Sequence, residues 1–172
     1  MSDIILIQGS LNPQSKTSII LDETTKVLKD KNISHETIDL RKINLEFCDG
    51  RDLEKYNRDL QSAYKSMEEA KAYIIGMPVY CYSVSGPLKN FLDITCGSME
   101  NKHAGIVCNA GGIMSYLASS DLMKILSYEV HVLTVQPTVY AYGSDFKDGK
   151  ITNEKVFGKI DDMVSRLLKL IT

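Results

Sequence analysis

The sequence predicts an α/β fold, a doubly wound sheet of five parallel strands with helices on both faces. Three observations lead there. Short runs without a polar face alternate along the whole chain with segments that are apolar at every third or fourth residue. Several of the changes are marked by glycine, proline or asparagine, at Gly9, Gly86-Pro87, Gly97, Gly111-Gly112 and Asn153. The richest of these loops follow the first, third and fourth apolar runs, which a parallel sheet gathers at one end. A length of 172 residues suits a single domain spanning 1–172 with a sizeable core.

Taken in order, Ile4–Gln8 is too apolar to have a wet face and reads as a strand covered on both sides. Residues 17–31 read as a helix, with Ile20, Leu21, Val27 and Leu28 on its inner side and Lys26, Lys29 and Asp30 outside. Residues 34–40 alternate like a half-exposed strand, and 62–71 form a short helix leading into a second buried strand at 72–77. Pro87 fits the first turn of a helix opened at Gly86 and closed at Gly97. The fourth strand is 103–109, followed by Ala110-Gly111-Gly112, a helix over about 115–127, and a fifth strand at 130–135. Asn153 caps a last helix, whose stripe is Val156, Ile160, Met163, Val164, Leu167, Leu168 and Ile171. The expected order is 2-1-3-4-5, the flavodoxin-like arrangement, with ligands at the carboxyl ends of strands 1, 3 and 4. Residues 41–61 are the least regular stretch, and their charges read as a solvated face, with a lid or subunit contact as the sharper alternative.

Composition narrows the function classes. Hydrophobic residues are 44% and charged residues 24%, the balance of an ordinary globular protein. A net charge of −2 argues against nucleic acid as the main partner. No apolar run has membrane-spanning length, and Met1-Ser2-Asp3 enters a strand with no leader pattern, so the expected location is the cytoplasm. Cys48, Cys81, Cys96 and Cys108 have no C-x-x-C spacing, and His35, His103 and His131 form no H-x-x-x-H pair, so no metal site is expected. No G-x-S-x-G elbow or other nucleophile motif occurs. The chemistry is therefore expected to reside in a bound redox cofactor.

The loop after the first strand, residues 9–17, reads as a phosphate site. A helix N-terminus supplies free N–H groups and the positive end of a dipole. Ser10, Ser15, Thr17 and Ser18 add hydroxyls, Lys16 a charge, and Asn12 a further polar group. The competing reading is that Ser15 or Thr17 only caps the helix. A triphosphate loop of G-x-x-x-x-G-K-[ST] type is excluded, because Ser10 and Ser15 occupy both glycine positions. The second loop, Pro78-Val79-Tyr80-Cys81-Tyr82-Ser83, offers backbone groups to the edge of a flat polar ring, and Tyr80 or Tyr82 could flank its face. Gly111 and Gly112 let the third loop come close to such a ring. A single phosphate beside a ring describes flavin mononucleotide, FMN.

These residues resemble the flavodoxin-like NAD(P)H-dependent FMN reductases. That family has a G-S-x-R-x-x-S loop, here Gly9-Ser10-Leu11-Asn12-Pro13-Gln14-Ser15, so Asn12 replaces its arginine and Lys16 is the nearest substitute charge. It also has P-x-Y-x-x-S-x-x-G-x-L-K-N, matched by Pro78, Tyr80, Ser83, Gly86, Leu88, Lys89 and Asn90, and a glycine pair matched by Gly111-Gly112. The resemblance implies FMN as cofactor and NADPH or NADH as co-substrate. It further implies a homodimer or homotetramer that delivers electrons to a small-molecule acceptor such as a quinone, or to a flavin-dependent monooxygenase. The rival readings are a flavodoxin-type electron carrier without NAD(P)H activity, which would be more acidic and carry T-x-T-G-x-T, and a flavodoxin-like domain acting on another nucleotide.

Overall fold

The computed structural model describes residues 2–171. Its main sheet is built from β1 (Ile4–Gln8), β2 (His35–Asp39), β3 (Ala72–Tyr80), β5 (His103–Ala110), β6 (Leu133–Thr134) and β7 (Val139–Tyr142). Between β3 and β5 a short return strand, β4 (Ser83–Val84), pairs antiparallel with the end of β3. All other pairings in this sheet are parallel, in the order β2-β1-β3-β5-β6, with β7 continuing along β5 beyond β6. With the hairpin set aside and β6 and β7 taken as one interrupted strand, this is the expected 2-1-3-4-5 order. A separate ribbon joins β8 (Phe146–Lys147) to β9 (Lys150–Ile151).

Strand alternation explains the continuous apolar runs. Ile4 and Leu6 of β1, with Ala72 and Ile74 of β3, face α1 (Lys16–Asp30) and α5 (Glu154–Ile171). Ile5 and Ile7, with Tyr73, Ile75 and Met77, face the opposite core beneath α2 (Arg58–Glu69), α3 (Gly86–Thr95) and α4 (Ser119–Val130). Over these residues β1 and β3 have two dry faces, which is why the runs are continuously apolar. Asn153 caps α5 by accepting from the Lys155 N–H at 3.1 Å.

Several boundaries differ from expectation. Helix α2 begins four residues earlier than predicted, because the Asn57 side chain accepts from the N–H groups of Asp59 and Leu60. Gly97 lies within a 3-10 turn over Cys96–Met99 that follows α3. The helix expected at 115–127 is a 3-10 segment, Ile113–Ala118, followed by α4. The fifth strand is the clearest correction. Val130 ends α4 and His131 follows at φ 53°, leaving only Leu133–Thr134 in the sheet before β7 resumes it. While β5 advances from Ala104 to Val107, its partner advances from Thr134 to Val139, so the chain around Pro137 bulges out.

Two glycines bring the first loop close to β3. A Cβ on Gly76 would lie 2.6 Å from Leu21 Cδ1 and 2.9 Å from Thr17 Cγ2. A Cβ on Gly9 would lie 2.7 Å from the Gly76 carbonyl oxygen, which accepts the Gly9 N–H at 3.0 Å. The start of α1 therefore packs directly against β3, beside the point where β3 runs on past the end of β1. Residues 41–57 run over the α2 and α3 side, held by Asn90, which accepts from Cys48 N–H at 2.9 Å and donates to the Glu46 carbonyl at 2.8 Å. Ion pairs of Arg41 with Asp39 and Arg51 with Asp49 lie along this stretch.

Candidate functional site

At the carboxyl ends of β1, β3 and β5 lies a cleft of about 320 Å³. Its walls bring together Ser10, Asn12, Ser15, Lys16 and Thr17 from the first loop and Pro78, Val79 and Tyr80 from the second. Asn109, Ala110 and Gly111 complete it from the third. All three predicted loops thus meet in one place.

The first loop is held from below. Gln8, buried at the end of β1, accepts the Ser10 N–H through Oε1 at 2.6 Å and donates through Nε2 to the Ser10 carbonyl at 2.7 Å. Ser85 Oγ adds a bond to the Gly9 carbonyl at 3.3 Å. Asn12 Oδ1 accepts the Gln14 N–H at 2.8 Å and shapes the turn into α1. Ser15 is the N-cap, its Oγ accepting the Ser18 N–H at 3.1 Å. Capping and ligand binding do not compete here. The cap uses an oxygen lone pair and leaves the hydroxyl proton available. The N–H groups of Lys16 and Thr17, ahead of the capped one, have no acceptor within the helix. They open onto the cleft at the positive end of the helix dipole. Lys16 is exposed, its Nζ 5.1 Å from the centre of the Phe146 ring.

Not every predicted residue reaches the cleft. Ser18 donates its hydroxyl to the Ser15 carbonyl at 2.7 Å and lines a neighbouring surface hollow instead. Cys81 and Tyr82 form the tip of the β3–β4 hairpin, and Ser83 begins β4, its Oγ donating to Asp121 Oδ2 on α4 at 2.6 Å. Gly112 lies one residue beyond the lining. The hairpin tip carries backbone strain: Cys81 and Tyr82 sit at φ 50° and 62°, the signs a two-residue primed turn demands and glycine or asparagine usually supplies. Left-handed backbone costs about 1–2 kcal/mol for such residues. The strained tip presents Tyr80, 52% exposed, at the mouth of the cleft. Asn109 and Ala110 were not anticipated. Asn109 donates to the Ala141 carbonyl at 3.1 Å and ties the third loop to β7. A polar residue closing an otherwise apolar strand is the signal that marks it.

The thiols are not equivalent. Burial pushes Cys108 up to about 12 and Cys96 up to about 11, whereas Cys48 and Cys81 are exposed. Among the described residues no cluster of His, Cys, Asp or Glu could hold a metal ion.

These features fit FMN. Free helix N–H groups and hydroxyls converge where a phosphate would sit, as its charge requires. Open space surrounds the positions that a Cβ on Gly111 or Gly112 would take, so the third loop leaves room for a ring. The volume is at the lower end of the range for small-molecule sites.

Comparison with known proteins agrees with this geometry. Residues 2–147 match the family described as NADPH-dependent FMN reductase. An NAD(P)H-dependent FAD/FMN reductase of Geobacillus thermodenitrificans is 30% identical over 158 residues, covering 89% of this chain and 83% of its own. An FMN-dependent NADPH-azoreductase of Staphylococcus aureus is 29% identical over 147 residues, covering 83% of this chain and 78% of its own. Among solved structures, the apo form of an NADH:FMN oxidoreductase superposes with a TM-score of 0.83 at 21% identity, covering all of this chain and 91% of its own. At that identity the match speaks for the fold.

Proposed function

The chain belongs to the NADPH-dependent FMN reductase family, and from that premise we propose how its own residues serve the reaction. It is an NAD(P)H-dependent oxidoreductase with FMN as cofactor. When bound, FMN would supply the redox chemistry, a two-electron transfer between nicotinamide and acceptor. In our reading residues 1–172 form one FMN-binding domain. The 5′-phosphate is held by the N–H groups of Lys16 and Thr17 and the hydroxyls of Ser10, Ser15 and Thr17. Lys16 contributes charge in place of an arginine at Asn12. Val79, Tyr80 and residues 109–111, which line the same cleft, would hold the ring. The chain supplies no nucleophile; it positions the reactants and keeps the ring edge against fixed backbone groups.

One observation carries this assignment. The capped start of α1, packed against β3 through Gly76, opens into the same cleft as the ends of β3 and β5. The finer expectations follow the family. The protein works in the cytoplasm as a homodimer or homotetramer and passes electrons to a small-molecule acceptor or a flavin-dependent monooxygenase. The azoreductase relative makes an azo dye a sensible first acceptor. Among the described residues no helix is long and apolar enough to cross a membrane.

The test combines FMN titration, followed by quenching of flavin fluorescence, with NADPH oxidation at 340 nm and sedimentation of the loaded protein. Saturable FMN binding with FMN-dependent oxidation is expected. A protein that binds no FMN would overturn the assignment of the cleft, and a monomer at working concentration would overturn the assembly.

A further inference from the structure

A second cavity, of about 510 Å³, lies along the free edge of β7 between the first turns of α4 and α5. It adjoins the flavin cleft. Gly111 lines the cleft, and Ile113, two residues on, lines the cavity. Between them the Gly112 carbonyl accepts from the hydroxyl of Tyr140, itself a cavity residue.

The walls have the chemistry of a phosphorylated, ring-bearing ligand. Tyr116 and Tyr140 supply aromatic surface. Lys155 and Lys159, one turn apart on α5, also line the cavity and form no ion pair among the described residues. The one acid in the walls is bonded within the protein and forms no ion pair with either lysine among the described residues. Asp145 is buried, with Oδ2 accepting the Tyr142 N–H at 2.9 Å and Oδ1 accepting from Asn153 Nδ2 at 2.7 Å. Two cations without an ion-pair partner suit a phosphate monoester, which carries about −1.5 to −2 at neutral pH. The reductase reaction brings one such group: NADPH differs from NADH by a phosphate on its adenosine ribose.

The geometry points to this cavity as the subsite for the adenosine 2′-phosphate end of NADPH, with Lys155 and Lys159 determining a preference for NADPH over NADH. The inference rests on the reductase reading, because it needs the nicotinamide end of the same molecule in the adjoining cleft. No arginine cluster in the sequence announces such a preference, since these lysines lie on the last helix, far along the chain from the flavin loops.

The experiment compares the parent with a Lys155→Gln, Lys159→Gln double variant. It measures kcat/KM for NADPH and for NADH with FMN present, binding of 2′,5′-ADP by calorimetry, and Tm. Losing charge-assisted hydrogen bonds to a phosphate corresponds to about tenfold or more in affinity. The parent is expected to favour NADPH at least about tenfold. The double variant should lose that ratio through the NADPH KM, bind 2′,5′-ADP correspondingly more weakly, and keep its Tm, as both lysines are exposed. A Lys155→Arg, Lys159→Arg variant, which keeps both charges, should retain the preference. A parent indifferent to the 2′-phosphate, or a folded double variant with unchanged ratio and 2′,5′-ADP affinity, overturns the proposal. Failure to oxidise either nicotinamide would instead overturn the reductase reading, and the calorimetry would still decide the subsite.

Discussion

Ser15 serves two purposes in this structure, and a set of three substitutions separates them. Its Oγ caps α1 by accepting the Ser18 N–H at 3.1 Å, and its hydroxyl faces the proposed phosphate position. Ser15→Ala removes both. Loss of an N-cap costs about 1 kcal/mol, which for a chain of this size lowers Tm by about 2–4 °C. Ser15→Asn and Ser15→Asp both retain a capping oxygen and differ from each other by one charge. Asp also complements the helix dipole, so in the absence of FMN it should be as stable as Asn or slightly more so. Binding should divide them sharply. Two unit charges about 4 Å apart repel by about 4 kcal/mol at an effective dielectric near 20. If solvent screens half of that, FMN affinity still falls roughly 30-fold between Asn and Asp. Thermal unfolding without FMN and fluorescence titration with it supply both readings. An Asp variant binding FMN within about threefold of the Asn variant would refute a phosphate at α1. An Ala variant with unchanged Tm would refute the cap.

Three further outcomes are expected. Gly76→Ala places a Cβ 2.6 Å from Leu21 Cδ1 and 3.1 Å from the immovable Ile7 carbonyl oxygen, overpacking worth about 1–3 kcal/mol; chemical denaturation should show the loss together with weakened FMN binding. Asp39 is raised by burial but lowered further by the hydrogen bonds and charge of Arg41, so its folded carboxyl lies below its ordinary value. Its stabilising effect is then complete above the ordinary carboxylate range and disappears as pH falls through the folded value, so the Tm gap between parent and Asp39→Asn should shrink from pH 7 to pH 3; a constant gap would contradict this. Iodoacetamide at pH 8 should label the exposed Cys48 and Cys81 first, as mapped by peptide mass spectrometry. Cys108, fully buried and with its thiol pushed up to about 12, should react only after unfolding.

The fold could be read from the sequence wherever burial alone decides the structure. Ile4–Gln8 and the centre of β3 lie between two helical layers, and a run with two dry faces admits no other placement in a sheet. The stripe of α5 is equally constrained, since Val156, Ile160, Met163, Val164 and Leu167 are all buried. Reading failed where an apolar run had two ways to be buried. Residues 130–135 look like a strand, yet Val130 is buried as the end of a helix and Leu133 in β6 is 65% exposed. The strand that flanks the second half of β5 is β7, where only Val139 and Ala141 are buried while Tyr140 and Tyr142 line the second cavity. A half-exposed face breaks the continuous buried run that would have announced the strand.

The site divides in the same way. Ser10, Ser15, Lys16 and Thr17 were legible because hydroxyls, a lysine and a helix start fall together in one short loop, and all four line the cleft. Cys81 and Tyr82 mislead in the opposite direction. Neither residue favours positive φ, and Pro78 argues against a continued strand, so 78–83 reads as an open loop although β3 runs on to Tyr80 and turns back tightly. That turn is held by tertiary contacts, among them the bond from Ser83 to Asp121 on α4, a helix 38 residues further along. The same helix begins at the end of the third loop, and its first turns line the second cavity. The hairpin, the glycine loop and the cavity therefore share one support.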